Sequence, residues 1–217
     1  MSIRILIADD QQIVRAGLAT ILGGQPDMEV IGQASDGREA VEMARRLLPD
    51  VCLFDIRMPN LDGVAATRAL AGPDVDHPMA VVVITTFDTD EYVHGALKAG
   101  ARGFLLKDAG PALLVQAIHA AASGDALIAP SITARLLSEF AEDRSGEAAV
   151  QPIEPLTDRE EEVLLTVAQG KTNAEIGDAL HISLSTVKFH LASLMQKLAA
   201  RNRVEIAMWA YETGRTT

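Results

Sequence analysis

Five side chains with chemistry to offer stand where apolar runs stop. Asp9-Asp10 follow Ile3 to Ala8, Asp55 closes Val51-Cys52-Leu53-Phe54, Thr85 closes the run from Ala80, and Lys107 follows Gly103 to Leu106. Short apolar runs with β-branched and aromatic members predict strands buried on both faces. Open α/β sheets place ligand chemistry at the carboxyl ends of such strands, so these groups converge on one crevice if the strands are neighbours. Converging acids repel one another, and a cation is the usual remedy. Oxygen ligands from Asp10 and Asp55, with Asp9 acting through water, suit Mg²⁺, which takes one or two carboxylates and retains several waters. A metal-bound Asp55 is ionised and able to act as a nucleophile. Phosphoryl transfer is the chemistry in which a metal and a lysine spread charge over three equatorial oxygens. Lys107 is then the second cation, and the Thr85 hydroxyl donates to a phosphoryl oxygen. Taken singly, each residue has a plainer reading. Asp10 serves equally well as the N-cap of the next helix, Lys107 as a solvated charge, and Thr85 as a strand former.

A second candidate set lies near the carboxyl end. Ser183 to Arg203 holds Lys188, Lys197, Arg201 and Arg203 and no acid, in a chain whose net charge is −11. Overall charge argues against nucleic acid, whereas this window is locally basic. Ser183 is placed to cap a helix running to about Leu198, with Val187, Leu191, Leu194 and Leu198 on one buried stripe. Lys188, His190 and Lys197 fall off that stripe and are expected to be exposed. Two short helices joined by a tight turn over Thr172 to Leu198, the second one cationic, follow helix-turn-helix logic, in which the second helix enters the major groove of DNA. Ser185, Thr186, Lys188, His190, Lys197, Arg201 and Arg203 are the expected DNA contacts. The same pattern also suits a four-helix protein-binding module with a solvated basic edge.

The elements that must position these groups read as follows. Strands are expected over Ile3 to Ala8, Met28 to Ala34, the Asp55 run, Ala80 to Thr85 and Gly103 to Leu106. Between and after them come five helices. The first carries Ile13, Gly17, Leu18, Ile21 and Leu22 on one face, and the second carries Ala40, Val41, Ala44, Leu47 and Leu48 up to Pro49. A short third helix follows the loop Met58-Pro59-Asn60-Leu61-Asp62-Gly63, a fourth spans Asp88 to Ala99, and a fifth spans Gly110 to Ala122. Alternation of this kind implies a doubly wound five-stranded parallel sheet, because parallel neighbours need right-handed crossovers.

Residues 1–123 form this first domain, with 10 basic and 16 acidic side chains; 124–151 carry 2 and 5, and 152–217 carry 7 and 9. The middle segment is expected to be a linker with a short helix over Ser131 to Phe140, and the eleven residues from Ala141 to Gln151 span about 17–20 Å as a coil. The last segment is a small all-α domain. Its helices open on two capping boxes, Thr157 with Glu160 and Thr172 with Glu175. Val163, Leu164, Val167 and Ala168 face inward from its first helix and Ile176 and Leu180 from its second. The last helix, Arg201 to Glu212, presents Val204, Ala207, Met208 and Tyr211 at helical spacing, with Trp209 beside them for the core.

Length and composition permit two modest domains and exclude general disorder, with 217 residues, 48% of them hydrophobic and 23% charged. The start Met1 to Ile7 lacks the apolar core of a signal peptide and no apolar run reaches about 18 residues, so a cytoplasmic protein without a membrane span is expected. The one cysteine, Cys52, lies inside a strand and reads as a small core residue. The five histidines show no ligand spacing with acids or cysteines, so none is assigned a metal.

The strand-end set, with Met58-Pro59 and Asp62-Gly63 after the central acid and Phe104 three before the lysine, resembles the receiver domain of two-component response regulators. That resemblance implies a phosphoryl group taken from a sensor histidine kinase on Asp55. It implies Mg²⁺ held by Asp9, Asp10, Asp55 and the backbone carbonyl of Arg57, and a switch through Thr85 and Phe104. Asp108 stands where many receivers have a proline, so no cis peptide is expected there. Leu156-Thr157-Asp158-Arg159-Glu160, Thr172 to Ile176, Thr186 to His190, Lys197-Leu198 and Asn202 to Glu205 resemble the LuxR-type output domain of NarL-like regulators. That likeness implies double-stranded promoter DNA as partner and a homodimer supported by Val204, Met208 and Tyr211. Gly177 departs from the Ala usual in that family, and close packing is one explanation. Two rivals stand beside this reading: a Mg²⁺-dependent aspartyl phosphatase, which resembles its relatives in a second Asp where Arg57 stands, and a DNA binder indifferent to phosphorylation.

Overall fold

The computed structural model describes residues 2–86, 90–125, 127–128, 152–200 and 203–215. The chain divides into two compact units, 1–129 and 130–217. The expected linker helix over 131–140 and the coil over 141–151 lie outside the described residues. Among the described residues, no helix is long and apolar enough to cross a membrane.

In the first unit, β1 (Ile3–Ala8), α1 (Gln12–Gly23), β2 (Met28–Ala34), α2 (Gly37–Leu47), β3 (Val51–Asp55), α3 (Gly63–Ala71), β4 (Val81–Thr85), α4 (Asp90–Lys98), β5 (Gly103–Leu106) and α5 (Pro111–Ala122) alternate as expected. A two-residue β6 (Leu127–Ile128) then adds a sixth strand inside the stretch read as linker. All pairings are parallel, in the order β2-β1-β3-β4-β5-β6. The chain therefore winds outward in both directions from β1 and β3, leaving a crevice beyond their carboxyl ends.

Every residue of β3 and β4 is buried, which explains why those runs are continuously apolar rather than alternating. Three expected inward positions, Ile13, Gly17 and Leu48, are outside. Ile13 is 82% exposed, because α1 meets the sheet through Leu18 and Leu22, one and two turns further on. Leu48 is 62% exposed, because it takes the left-handed C-cap of α2, at φ 48°, and turns away from the stripe of Ala40, Val41 and Ala44.

In the second unit, α6 (Asp158–Ala168), α7 (Asn173–Leu180), α8 (Leu184–Lys197) and α9 (Arg203–Glu212) surround one core. Both expected capping boxes are formed, and the Ser183 hydroxyl accepts from the amide of Thr186 at the start of α8. The core is made by Val163, Leu164, Val167, Ile176, Val187, Leu191, Leu194 and Leu198, as the periodicity predicts. Helix α9 contributes Ile206, Trp209 and Ala210, with Ala207 partly buried against them, so Trp209 is in the core as its sequence position suggests. The side chains of Val204, Met208 and Tyr211 lie outside the described residues. Gly177 has a packing reason: a β-carbon there would stand 2.9 Å from the carbonyl oxygen of Ile182 in the turn.

One glycine holds the crevice in shape. Gly63 donates to the carbonyl of Ile56 at 2.8 Å, and a β-carbon on it would meet the carbonyl oxygen of Asp55 at 1.9 Å. Gly63→Ala must therefore push the β3–α3 loop away from the strand end. It should destabilise the first unit by about 1–3 kcal/mol, seen as an earlier transition on urea unfolding of the full chain.

Candidate functional site

Strand register brings the acids together. Ala8 pairs with Phe54, so Asp9 emerges beside Asp55; Asp55 pairs with Ile84, and Thr85 pairs with Leu106, so Thr85 and Lys107 follow on the next rungs. Asp9 and Thr85 are 0% exposed and Asp55 is 4% exposed, whereas Asp10 faces solvent. The Lys107 ammonium lies 2.5 Å from Asp9 Oδ2 and 2.8 Å from Asp55 Oδ2. The remaining oxygens are held by backbone: the amide of Ile56 donates to Asp55 Oδ1 at 2.8 Å, and that of Gln11 donates to Asp9 Oδ1 at 2.9 Å. Asp10 is not the cap of α1, whose N-cap is Gln11 with no side-chain bond to the helix. The alternative role weighed for Asp10 is thus removed by the chain path.

The charges remain unbalanced. Burial pushes the Asp55 carboxyl above its usual range, and the negative charge of Asp9 adds to this, while the bond and charge of Lys107 pull the other way. Burial alone would lower the Lys107 ammonium, but its bonds to Asp55 and Asp9 outweigh that and hold it above its usual range.

One ligand oxygen from each of Asp9, Asp10 and Asp55 falls within 4.8 Å of the others. Asp9 Oδ2, although in ionic contact with Lys107, receives no aligned hydrogen bond. A cluster of three carboxylates against one ammonium, two of the acids buried, fits a hard divalent cation.

Beside the acids an open groove of about 660 Å³ runs from Asp10 past Arg57, Met58 and Pro59 to Asp62 and Tyr92. The Arg57 guanidinium sits over the Tyr92 ring, 5.8 Å from its centroid. Phe104 is among the largest fully buried side chains. Cys52 is buried, and burial pushes its thiol up to about 12, which makes it inert. No cis peptide is present among the described residues, as expected with Asp108 after the lysine.

In the second unit the basic window resolves into two kinds of cation. Lys188 is exposed on α8 together with Ser185, while Thr186 and His190 are partly buried. Lys197 is not the exposed charge its spacing suggested. Its ammonium is 2.8 Å from Glu160 Oε2 and 3.2 Å from the carbonyl of Pro155, with 16% of its side chain exposed. Arg203 donates to Asn173 Oδ1 at 2.8 Å and to the carbonyl of Lys171, tying α9 to the start of α7. His190 likewise falls short of full exposure, and its Nδ1 is buried without a hydrogen-bond partner. The exposure expected of Lys197 and His190 fails because a buried stripe on one helix says nothing about the helices packed against its flanks. Arg201 lies outside the described residues.

Glu160, read from the sequence only as half of a capping box, is 4% exposed and has a second structural role. It binds Lys197, accepts from Ser193 Oγ at 2.6 Å, and closes its capping box on Thr157. Burial pushes the Glu160 carboxyl up, but Lys197, Ser193 and Thr157 outweigh this and hold it at about 2 against a usual 4.5. A depressed carboxyl stabilises the fold fully above about 4.5 and loses that contribution as pH falls toward 2. Glu160→Gln should therefore lower the stability of the second unit at neutral pH. It should also flatten its pH dependence over that acid range, as thermal melts of the full chain at successive pH values would record.

Residues 5–119 match the family described as response regulator receiver domain, and residues 154–210 match that described as bacterial regulatory proteins, luxR family. The chain is 42% identical to the transcriptional regulatory protein LiaR of Bacillus subtilis, over 96% of this chain and 97% of that protein. It is 37% identical to DesR of the same species over 98% of both. Among solved structures it is similar to the response regulator ChrA of a heme-sensing two-component system, with a TM-score of 0.54, 35% identity and 99% of each chain covered.

Proposed function

Because the chain belongs to the response regulators that join a receiver domain to a LuxR-type domain, we propose that phosphorylation of Asp55 controls its binding to promoter DNA. The observation that carries this reading is the buried Asp55 carboxylate at a strand end, sharing the Lys107 ammonium with the buried Asp9. The phosphoryl donor is a phosphohistidine of a sensor histidine kinase. An oxygen of Asp55 attacks phosphorus, the phosphorus–nitrogen bond breaks, and the electron pair leaves with the imidazole, giving an acyl phosphate with about two negative charges. Asp9, Asp10, Asp55 and the backbone carbonyl of Arg57 would hold Mg²⁺, which supplies positive charge to the acids and to the phosphoryl oxygens. Lys107 is the protein's own cation for those oxygens, and the buried Thr85 hydroxyl is their donor.

The phosphoryl group stays on the chain until lost, so this is a regulator rather than a turnover enzyme; Arg57 occupies the position where an aspartyl phosphatase resembles its relatives in a second acid. Movement of Thr85 toward the phosphoryl group acts through the packed Phe104, which pairs with Val83 on the neighbouring strand. Two surface states of the receiver then differ in whether the second unit engages DNA, most simply as a homodimer on two symmetric half-sites. Val204, Met208 and Tyr211 on α9 are the proposed dimer contacts. On α8, Ser185, Thr186, Lys188 and His190 are the proposed DNA contacts, whereas Lys197 and Arg203 are held by contacts inside the second unit. A kinase donor and a chromosomal target imply a cytoplasmic protein.

Incubation with Mg²⁺ and a small acyl-phosphate donor should add the mass of one phosphoryl group to the intact chain, and Asp55→Asn should add none. Labelling that persists on another residue overturns the assignment. Lys188→Ala should weaken binding to any duplex and reduce the slope of log affinity against log salt by about one. An unchanged slope removes Lys188 from the phosphate contacts.

A further inference from the structure

Phe189 is 70% exposed in the middle of α8, where a helix folded only for its own core would carry a polar side chain. Leaving a phenyl ring in water forgoes about 1.5–3 kcal/mol of burial, so the position calls for an occupant. Its neighbours say which. The buried stripe is Val187, Leu191, Leu194 and Leu198, and the opposite side of the helix presents Ser185, Phe189, Ala192 and Gln196, all exposed, with exposed Lys188 flanking them. These outward positions recur at four and three residues, so they form one continuous strip. The strip contains no acid, and none occurs anywhere in Ser183 to Arg203, although the chain as a whole has a net charge of −11. An apolar ring on an acid-free strip beside a cation is matched to a polyanion that exposes apolar groups, and the major groove meets that description through the C5 methyls of thymine. Ala192 keeps the strip low one turn further on, which allows close approach, and Leu184, 50% exposed in the first turn, offers a second apolar contact. The ring is not free to swing in every direction: it packs edge-on against His190, with centroids 5.6 Å apart and planes at 71°.

We propose that Phe189 is a specificity-determining residue of this protein, reading the 5-methyl group of thymine in the major groove of its operator. This rests on the DNA-binding reading of α8 and deepens it: Lys188 supplies attraction that any sequence would feel, and Phe189 supplies discrimination. The proposal separates the two in one experiment on the full chain, treated with Mg²⁺ and an acyl-phosphate donor. Duplexes are recovered by selection from a random-sequence library, and each thymine of the selected site is then replaced singly by deoxyuridine, which removes the methyl group and nothing else. At one or two positions the wild-type protein should lose about fourfold in affinity, the worth of one buried methyl. Phe189→Ala, at a position exposed enough to leave the fold intact, should bind the same duplexes more weakly and show no loss at those positions. Its salt slope should stay unchanged, in contrast to that of Lys188→Ala. A deoxyuridine effect of equal size in Phe189→Ala, or no thymine-dependent effect in the wild type, overturns the proposal while leaving DNA binding standing. Altered self-association of Phe189→Ala in sedimentation, with unchanged thymine dependence, overturns it in favour of a protein contact. Failure of the phosphorylated wild type to enrich any duplex overturns the DNA-binding reading itself.

Discussion

One ammonium group is shared by two carboxylates that have almost no access to water. Lys107 lies within ionic contact of both Asp9 and Asp55, and its removal would leave two buried negative charges facing each other. Such a pair is expensive to desolvate and more expensive to break than to keep. Its strain has a functional sense: three acids and one lysine remain short of positive charge, and burial pushes Asp55 toward its neutral form. A crevice in that condition gains by taking up a cation. The strand order supplies it, since β1, β3, β4 and β5 are consecutive neighbours and their carboxyl ends deliver Asp9, Asp55, Thr85 and Lys107 side by side.

The second unit repeats the device for a structural purpose. Glu160 is buried at the start of α6 and is made tolerable by Lys197 and Ser193 of α8 and by its own capping box with Thr157. One acid thereby fixes the angle between two helices. The cation it uses is withdrawn from the basic window, as is Arg203, which joins α9 to α7. What remains on the outward strip of α8 is narrower and more specific than a basic patch: Lys188, two small residues, an amide and an exposed aromatic ring. Charge brings such a surface to a duplex, and the ring gives it a preference among duplexes.

The two units differ in what an observer of the chain alone could know. Strand identity, helix order, both capping boxes and the inward stripes of α6 and α8 were legible, because hydrophobic period and cap chemistry are local properties of a few consecutive residues. The strand-end placement of Asp9, Asp55, Thr85 and Lys107 was legible for the same reason. The failures share a different cause. Ile13 and Leu48 carry helical spacing yet lie outside, since helix entry and a left-handed cap decide which turns touch the sheet. Lys197 and His190 were expected at the surface, yet Lys197 meets Glu160, distant in the chain, and His190 is partly enclosed.

The linear chain thus determined which side chains are available and on which element each one rides, since these follow from neighbours within a turn or a strand. Tertiary structure alone decided which of them meet. It put Asp9 rather than Asp10 against Lys107, it turned a surface lysine into the partner of Glu160, and it left Phe189 outside a core that had room only for the opposite stripe. The physical reason is that ionic partnership and burial are properties of distance in space, and the close approaches that create them, as at Gly63 against Asp55, join residues that no local period connects.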